Sequence, residues 1–264
     1  MITGSPVLVL TCADDPTADV VINELNARGV PVVRCDPADV LVGRLEVSAH
    51  LGRSVRGGYL QTESRGLDLA AVRSVYYRRP SSYAAPAGLA VQDGEFAKAQ
   101  AKHGMGGILA NIRGRWVNHI WRAIEAEFKP TQLTVAGAVG FTVPATLITN
   151  SLDEARLFAK EWGPIIYKPL QNTELTKPDG NALMVWADVV QPDELDESVS
   201  LALHLFQERV DKVADVRTTV IGNEAFSVRI VVAVSRLAPR LRRGDVCSDR
   251  DPSARRRRMP ALSR

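Results

Sequence analysis

No apolar run in this sequence approaches the roughly 18 residues that a membrane-spanning helix needs. Its first residues also lack the basic stretch that opens a signal peptide. The three cysteines, Cys12, Cys35 and Cys247, are scattered, which excludes a CxxC metal pair and a disulfide framework and suits a reducing cytosol. We therefore expect a cytoplasmic protein that has no membrane partner.

A glycine-rich GxGxxG turn is absent after the first apolar run, so the sequence supports no dinucleotide site. The apolar runs at residues 7–10 and 30–36 nevertheless flank a segment, 18–28, that has helical spacing and ends before Gly29. This β-α-β pattern predicts a parallel sheet with a right-handed crossover. We expect a Rossmann-like lobe over residues 1–115.

Lysine is absent from the last 34 residues, which hold ten arginines and three aspartates. Residues 231–264 thus carry a net charge of +7, which leaves −4 for the rest of a chain whose overall charge is +3. The segment has neither helical nor strand periodicity and too little apolar surface to order itself. We expect a disordered tail created by a change of reading frame near Val231. An arginine arm for nucleic acid is the least favoured hypothesis, and we expect no nucleic-acid partner.

One lysine ends a short apolar segment, Ile165-Ile166-Tyr167-Lys168, between two prolines. The segment predicts a short buried strand. Because burying an ammonium group without a partner is costly, Lys168 either reaches water or meets an anion.

Other segments of the sequence also predict regular elements. An apolar run that contains Glu208 spans residues 203–210, and a strand, a Gly-Asn turn and a second strand span 215–230. The strand-turn-strand segment at 215–230 is a strong hairpin signal. Upstream, Pro130 follows Lys129 and predicts that one helix ends and another begins there. Helical spacing also predicts a long helix over residues 95–116.

Two arginines, Arg78 and Arg79, end a predicted strand just before Pro80. Guanidinium groups in this position can hold a carboxylate or a phosphate by paired hydrogen bonds. A structural ion pair inside the protein is an equally weighted alternative.

In chain order, two lysines, an acid and a hairpin opened by Asp-x-Arg resemble the nucleotide-binding half of ATP-grasp ligases. The sequence most resembles the ATP-grasp ribosomal peptide maturases, which make microviridin-type cyclic peptides (graspetides), over residues 6 to 230. The likeness is carried by Tyr76-Tyr77-Arg78-Arg79-Pro80, Trp116-Val117-Asn118-His119, Lys129-Pro130-Thr131-Gln132-Leu133 and the run at 140–150.

This resemblance implies an α/β fold in which a pre-ATP-grasp domain over residues 1–115 precedes an incomplete ATP-grasp domain over 116–230. It also implies which residues bind ATP. Lysines would contact the phosphates, an acid and a backbone group would lie at the adenine edge, and a second acid would lie near the ribose. Residues 171–180 would fill the place of the loop that covers the phosphates. By this resemblance, Lys129 and Lys168 are the two phosphate lysines, Glu208 and the backbone of Val210 lie at the adenine edge, and Asp215 is the acid near the ribose. Arg229 is a further candidate for the phosphates.

The implied activity is ATP-dependent ligation on a ribosomal precursor peptide that carries a leader. Side-chain carboxylates of Asp or Glu would be activated as acyl phosphates and joined to Ser, Thr or Lys as ester or amide macrocycles. ATP and Mg²⁺ are the implied cofactors, but the family's metal ligands follow the hairpin and are missing from this sequence. The alternative is a non-catalytic remnant that binds a nucleotide or a leader peptide. Ester or amide chemistry and a homodimer are left open.

Overall fold

A computed structural model describes residues 4–52, 56–171, 174–176 and 182–230 of the chain. The chain divides into two units. Unit 1 comprises Met1–Val143 and Leu170–Leu183, and unit 2 comprises Pro144–Pro169 and Met184–Arg264. The segment predicted as a tail, 231–264, lies outside the described residues.

The predicted β-α-β pattern at the start of unit 1 is confirmed. Strands β1 (Val7–Leu10) and β2 (Val32–Cys35) pair in parallel, and helix α1 (Pro16–Ala27) connects them. Asp15 caps this helix, because its side chain accepts a hydrogen bond from the backbone N–H of Ala18. All four residues of β1 are buried, as expected of a parallel strand that is covered on both faces.

Unit 1 contains an antiparallel sheet beside the parallel one. The antiparallel sheet contains β3 (Leu45–Leu51), β4 (Arg56–Thr62) and β5 (Gly66–Asp68). The chain then returns to the parallel sheet as β6 (Ser74–Tyr77), which pairs with β1. The main core of unit 1 is formed by buried side chains that include Leu8, Leu10, Val33, Leu60, Val75, Met105 and Leu109.

The long helix predicted over residues 95–116 is wrong at its C-terminal end. Helix α2 covers Val91–Ala110, and Arg115–Val117 forms β7, which pairs in parallel with β6. The parallel sheet therefore has the order β2-β1-β6-β7. At the start of β7, the edge strand, the N–H of Arg115 donates to the carbonyl oxygen of Arg73. Pairing with a strand far away in sequence thus overrides the local helical spacing.

The predicted interruption at Pro130 is confirmed. Helix α3 (Ile120–Glu127) ends before it, and α4 (Lys129–Ala138) starts with Pro130 in its first turn. Both helices belong to unit 1, whose first segment runs to Val143 rather than to residue 115. The division at 115 was drawn from sequence pattern and stays a prediction. A small two-stranded sheet comprises β10 (Glu174–Thr176) and β11 (Ala182–Met184).

Unit 2 is built on an antiparallel sheet of four strands with one long helix. The elements are β8 (Thr146–Thr149), α5 (Leu152–Trp162), β9 (Ile165–Lys168), β12 (Asp188–Val190) and β13 (His204–Glu208). The strand order is β12-β9-β13-β8. Ser151 caps α5 through a hydrogen bond from the N–H of Glu154. The core contains Leu152, Ala155, Ala159, Ile165, Leu195, Val199 and Phe206.

The predicted hairpin is confirmed as β14 (Asp215–Ile221) and β15 (Glu224–Ile230). Gly222 takes a φ of 61° in the turn, a conformation that glycine adopts without steric cost. Together the two units confirm the predicted α/β class, in which a Rossmann-like parallel sheet precedes an antiparallel sheet.

Candidate functional site

The two faces of the four-stranded sheet in unit 2 differ in character. Strand register places Ile165 and Tyr167 of β9 on the same face as Phe206 of β13, where they join the core formed with α5. Because side chains alternate along a strand, Lys168 and Gln207 lie on the opposite face. We call this opposite side the lysine face.

Three polar side chains form a hydrogen-bonded row across the lysine face. The ammonium nitrogen of Lys168 donates to Oε1 of Gln207 at 2.6 Å. The Nε2 of Gln207 donates to Oγ1 of Thr146 at 2.8 Å. The hydroxyl of Thr146 in turn donates to the carbonyl oxygen of Pro144 at 2.8 Å. A neutral amide is thus one partner of the ammonium of Lys168.

Glu208 ends β13 next to this row, but alternation turns its side chain toward the helix-covered face. The backbone N–H of Ala145 donates to Oε2 of Glu208 at 2.9 Å. The N–H of Glu208 donates back to the carbonyl oxygen of Ala145, also at 2.9 Å. The carboxylate thus completes the pairing between the ends of β8 and β13, and Lys168 and Glu208 do not share a face.

Val210 lies two residues beyond β13 in a segment without regular structure, and its side chain is exposed. Among the described residues its backbone N–H makes no hydrogen bond to another backbone group. This N–H can therefore donate to a ligand without breaking a strand ladder.

Asp215 opens the hairpin and is held by a neighbour. The ammonium of Lys212 lies 2.9 Å from both carboxylate oxygens of Asp215, and both side chains are about half exposed. In the hairpin register Asp215 faces Ile230, whereas Arg229 faces Val216. Alternation therefore places Asp215 and Arg229 on opposite faces of the hairpin, so the structure does not bring these two candidates together.

Lys129, the other predicted phosphate lysine, begins α4 in unit 1. Its ammonium nitrogen donates to the carbonyl oxygen of Leu170 at 2.8 Å, within the same unit. Lys129 thus links the start of α4 to the chain segment that follows β9. Its predicted role in ATP binding stays a prediction.

Arg78 faces a carboxylate inside unit 1. Its Nε lies 3.4 Å from Oδ2 of Asp15, which is only 3% exposed. The same oxygen accepts a hydrogen bond of 2.6 Å from the hydroxyl of Thr11. The geometry is that of the internal ion pair, the alternative that the sequence left open. Arg79 is exposed, and the anion contact predicted for the two arginines stays a prediction.

The carboxyl group of Asp15 has several partners in unit 1. Burial alone would raise its pKa, but hydrogen bonds from Thr11 and Ala18 and the charge of Arg78 hold the pKa below its ordinary value of 3.8. Asp15 is therefore ionised at neutral pH and fixes the loop that follows β1.

The predicted phosphate-covering loop falls largely outside the described residues, because 172–173 and 177–181 are not among them. Within the described ranges, no three His, Cys, Asp or Glu side chains lie close enough together to hold a metal ion. None of the helices in that part of the chain is both long and apolar enough to cross a membrane.

Sequence reasoning missed Gln207 and Thr146, the two partners in the row on the lysine face. A signal for Gln207 was present, because it is a polar residue inside the apolar run 203–210 and directly follows Phe206. Only the strand register shows that its amide reaches Lys168.

Comparisons with known proteins place the chain among ATP-grasp folds. Residues 6–124 match the family model described as the MvdD pre-ATP grasp domain. No curated protein matches the chain.

Solved structures resemble the chain over most of its length. One is macrocyclase MdnC from Microcystis aeruginosa MRC, bound with the precursor peptide MdnA, at 24% identity and a TM-score of 0.77, covering 85% of this chain and 74% of that chain. Another is a RiPP-associated ATP-grasp ligase from Chryseobacterium gregarium, in complex with ADP and a leader and core peptide. Its identity is 22% and its TM-score 0.76, and the match covers 86% of this chain and 69% of that chain. These two likenesses show the fold.

A third structure is the ATP-grasp ligase PsnB, complexed with a phosphomimetic variant of its minimal precursor, Mg and ADP. The identity is 25% and the TM-score 0.66, and the match covers 88% of this chain and 73% of that chain. Together with the family model, it confirms the resemblance to ATP-grasp peptide maturases that the sequence motifs indicate.

Proposed function

We propose that this chain, which carries a pre-ATP-grasp domain of the MvdD type at residues 6–124, is an ATP-dependent ligase that acts on a ribosomal precursor peptide. The observation that carries the proposal is the lysine face of unit 2. The ammonium of Lys168 donates there to Oε1 of Gln207, a partner that carries no charge. A charge held in this way can neutralise a phosphate group.

The proposed chemistry has two steps. A side-chain carboxylate of Asp or Glu in the peptide attacks the γ-phosphorus of ATP, which forms an acyl phosphate and releases ADP. A hydroxyl of Ser or Thr, or an amine of Lys, then attacks the acyl carbon, which forms an ester or an amide and releases phosphate and a proton. Both steps depend on positioning and on neutralising phosphate charge rather than on a covalent enzyme intermediate.

The described residues support parts of ATP binding to different degrees. Lys168 supplies positive charge for the phosphates, and the N–H of Val210 is an available donor for the adenine edge. The carboxylate of Glu208 accepts from the N–H of Ala145 on the face away from Lys168, and its role at the adenine edge stays a prediction. The carboxylate of Asp215 is paired with Lys212, and its role at the ribose stays a prediction. The roles of Lys129, Arg78, Arg79 and Arg229 stay predictions as well.

Two of the solved relatives carry ligands that fit this proposal. One contains ADP with a leader and core peptide, and the other contains a precursor variant with Mg and ADP. In this chain, no three His, Cys, Asp or Glu side chains of the described residues lie close enough together to hold a metal ion.

A second candidate function follows from that last observation. The chain could bind a nucleotide or a leader peptide without turning over ATP, because no metal-holding group is found among the described residues. Release of phosphate in the presence of a peptide separates the two candidates.

The experiment uses the full chain and a fluorescent ATP analogue that carries a methylanthraniloyl group. We expect saturable binding that unlabelled ATP reverses, and we expect Lys168→Met to weaken it by about tenfold or more, which corresponds to about 1.4 kcal/mol. Lys160→Met, which removes an exposed lysine from the last turn of α5, is the matched control and leaves binding unchanged. Absence of binding to the unaltered chain contradicts the ligase and the nucleotide-binding form of the alternative.

Turnover is measured separately, as phosphate release with a synthetic peptide rich in Thr, Ser, Asp and Glu taken from a reading frame beside the gene. Peptide-dependent release, together with loss of one water mass from the peptide, supports the ligase. Nucleotide binding without release at any peptide concentration supports the non-catalytic alternative.

A further inference from the structure

The amide of Gln207 is buried, with 6% of the residue exposed, and both of its polar atoms are used. Buried amides are normally fully hydrogen-bonded, because an unsatisfied amide in the interior costs free energy. In Gln207 the two partners lie on different strands, Lys168 on β9 and Thr146 on β8. The side chain therefore joins three neighbouring strands through one row of hydrogen bonds.

The chemistry of the partners fixes the direction of every bond in this row. An ammonium group can only donate, so the oxygen of the Gln207 amide must face Lys168. The carbonyl oxygen of Pro144 can only accept, so the hydroxyl proton of Thr146 must point to it. The lone pairs of Thr146 are then available to accept from the NH₂ of Gln207. No member of the row can be reversed without leaving two donors or two acceptors facing each other.

The row thus orients the ammonium of Lys168 through a partner that carries no charge. A lysine side chain carries about 2 kcal/mol of rotamer entropy, which must be lost when its ammonium is fixed on a ligand. The bond to Gln207 removes part of this freedom before a ligand arrives, which lowers the cost of binding. A glutamate at the same place would hold the ammonium equally well but would cancel its charge by ion pairing.

We propose that Gln207 is a positioning residue that holds the ammonium of Lys168 for the triphosphate of ATP, with Thr146 fixing the orientation of the Gln207 amide. This inference rests on the proposed function, since it names the support of the same lysine. Gln207 itself acts through Lys168 and does not contact the nucleotide. An amide at position 207 holds the ammonium of Lys168 without adding a negative charge, which a carboxylate would do.

A double-mutant cycle tests the inference, with affinity for the methylanthraniloyl ATP analogue as the readout. We expect Gln207→Met, which keeps length and apolar volume, to weaken binding by about tenfold, the value of one hydrogen bond to a charged group. In the Lys168→Met background the same change has no further effect, because the lysine through which Gln207 acts is gone.

Two further variants separate positioning from simple structural support. Gln207→Glu, which has nearly the same shape, weakens ATP binding more than Gln207→Met does, because the new carboxylate competes with phosphate for Lys168. Thr146→Val weakens binding, whereas Thr146→Ser, which keeps the hydroxyl, restores it. Thermal melting of every variant shows whether it is folded. If a Gln207 variant does not fold, analogue binding by Thr146→Val and Thr146→Ser tests the inference instead.

The possible results are distinguishable. If the unaltered chain binds no ATP, the proposed function and this inference both fail. If Lys168→Met weakens binding but Gln207→Met does not, the inference alone is overturned. It is also overturned if Gln207→Met weakens binding equally with and without Lys168, or if Gln207→Glu binds as tightly as the unaltered chain.

Discussion

Ala145 and Glu208 are joined by two hydrogen bonds of 2.9 Å, one in each direction. In one of them the N–H of Glu208 donates to the carbonyl of Ala145, as in an ordinary ladder. In the other the N–H of Ala145 donates to the carboxylate of Glu208 rather than to its backbone. An acid that the sequence predicts at the adenine edge therefore also ends the pairing between two strands of unit 2.

Replacing Glu208 by Ala removes this acceptor and leaves the N–H of Ala145 without its partner. We expect the free energy of unfolding to fall by about 1 kcal/mol, the usual cost of a lost hydrogen bond at a partly buried site. Glu208→Gln keeps an acceptor oxygen at the same place and serves as the matched variant, with little change in stability. Urea titration followed by circular dichroism measures both. An equal loss in the two variants would show that the charge, not the acceptor, is what stabilises this strand end.

The pKa of Asp15 predicts a pH dependence of stability. Its pKa in the folded chain lies below 3.8, the ordinary value, because Thr11 and Ala18 donate to it and Arg78 faces it, which together outweigh burial. The ionised form is therefore favoured by folding. Its contribution is present at neutral pH and is lost as the pH falls below the ordinary value and through the lowered one.

Asp15→Asn tests this expectation. At neutral pH we expect the free energy of unfolding of the variant to be about 1–3 kcal/mol lower, because a buried charge that accepts hydrogen bonds is removed. As the pH falls below 3.8 and through the lowered pKa of Asp15, the difference from the unaltered chain shrinks, because protonation then removes the same charge from the unaltered chain. Asp14→Asn, a change at an exposed neighbour, is the control. A difference that stays constant with pH would contradict the assignment of the effect to ionisation.

Two glycines of unit 1 are expected to respond in opposite ways to replacement by alanine. A Cβ on Gly114 would lie 2.8 Å from the carbonyl oxygen of Val72 and 2.9 Å from the carbonyl carbon of Arg73, both backbone atoms. We expect Gly114→Ala to cost about 1–3 kcal/mol, because β7 must move away from the chain that leads into β6. Gly104 lies exposed within α2, and nothing lies within 4 Å of a Cβ there.

Gly104→Ala should therefore stabilise the chain by about 0.5–1 kcal/mol through its higher helix propensity. Thermal unfolding of the two variants, measured side by side, gives the sign of each change. A destabilising Gly104→Ala would contradict the helix bounds given for α2, and a neutral Gly114→Ala would contradict the close approach of β7.

The sequence by itself determined the elements whose causes are local. The apolar run of β1, the cap and helical spacing of α1, the helix break at Pro130 and the Gly222-Asn223 turn are set by residues within a few positions of one another. Such signals can be read without knowledge of the fold, and each of these elements is present in the structure. The order of lysines, acid and hairpin also sufficed to identify the resemblance to ATP-grasp peptide maturases.

Tertiary structure decided everything that depends on strand register. Residues 115–117, which continue a helical pattern in sequence, became β7 because β6 offers them a partner in the parallel sheet. Register likewise placed Lys168 beside Gln207 instead of Glu208, and set Asp215 and Arg229 on opposite faces of the hairpin. Alternation tells which residues of one strand share a face, but the contacts between strands arise only when distant segments pair. A shift of one residue would turn each of these side chains to the other side.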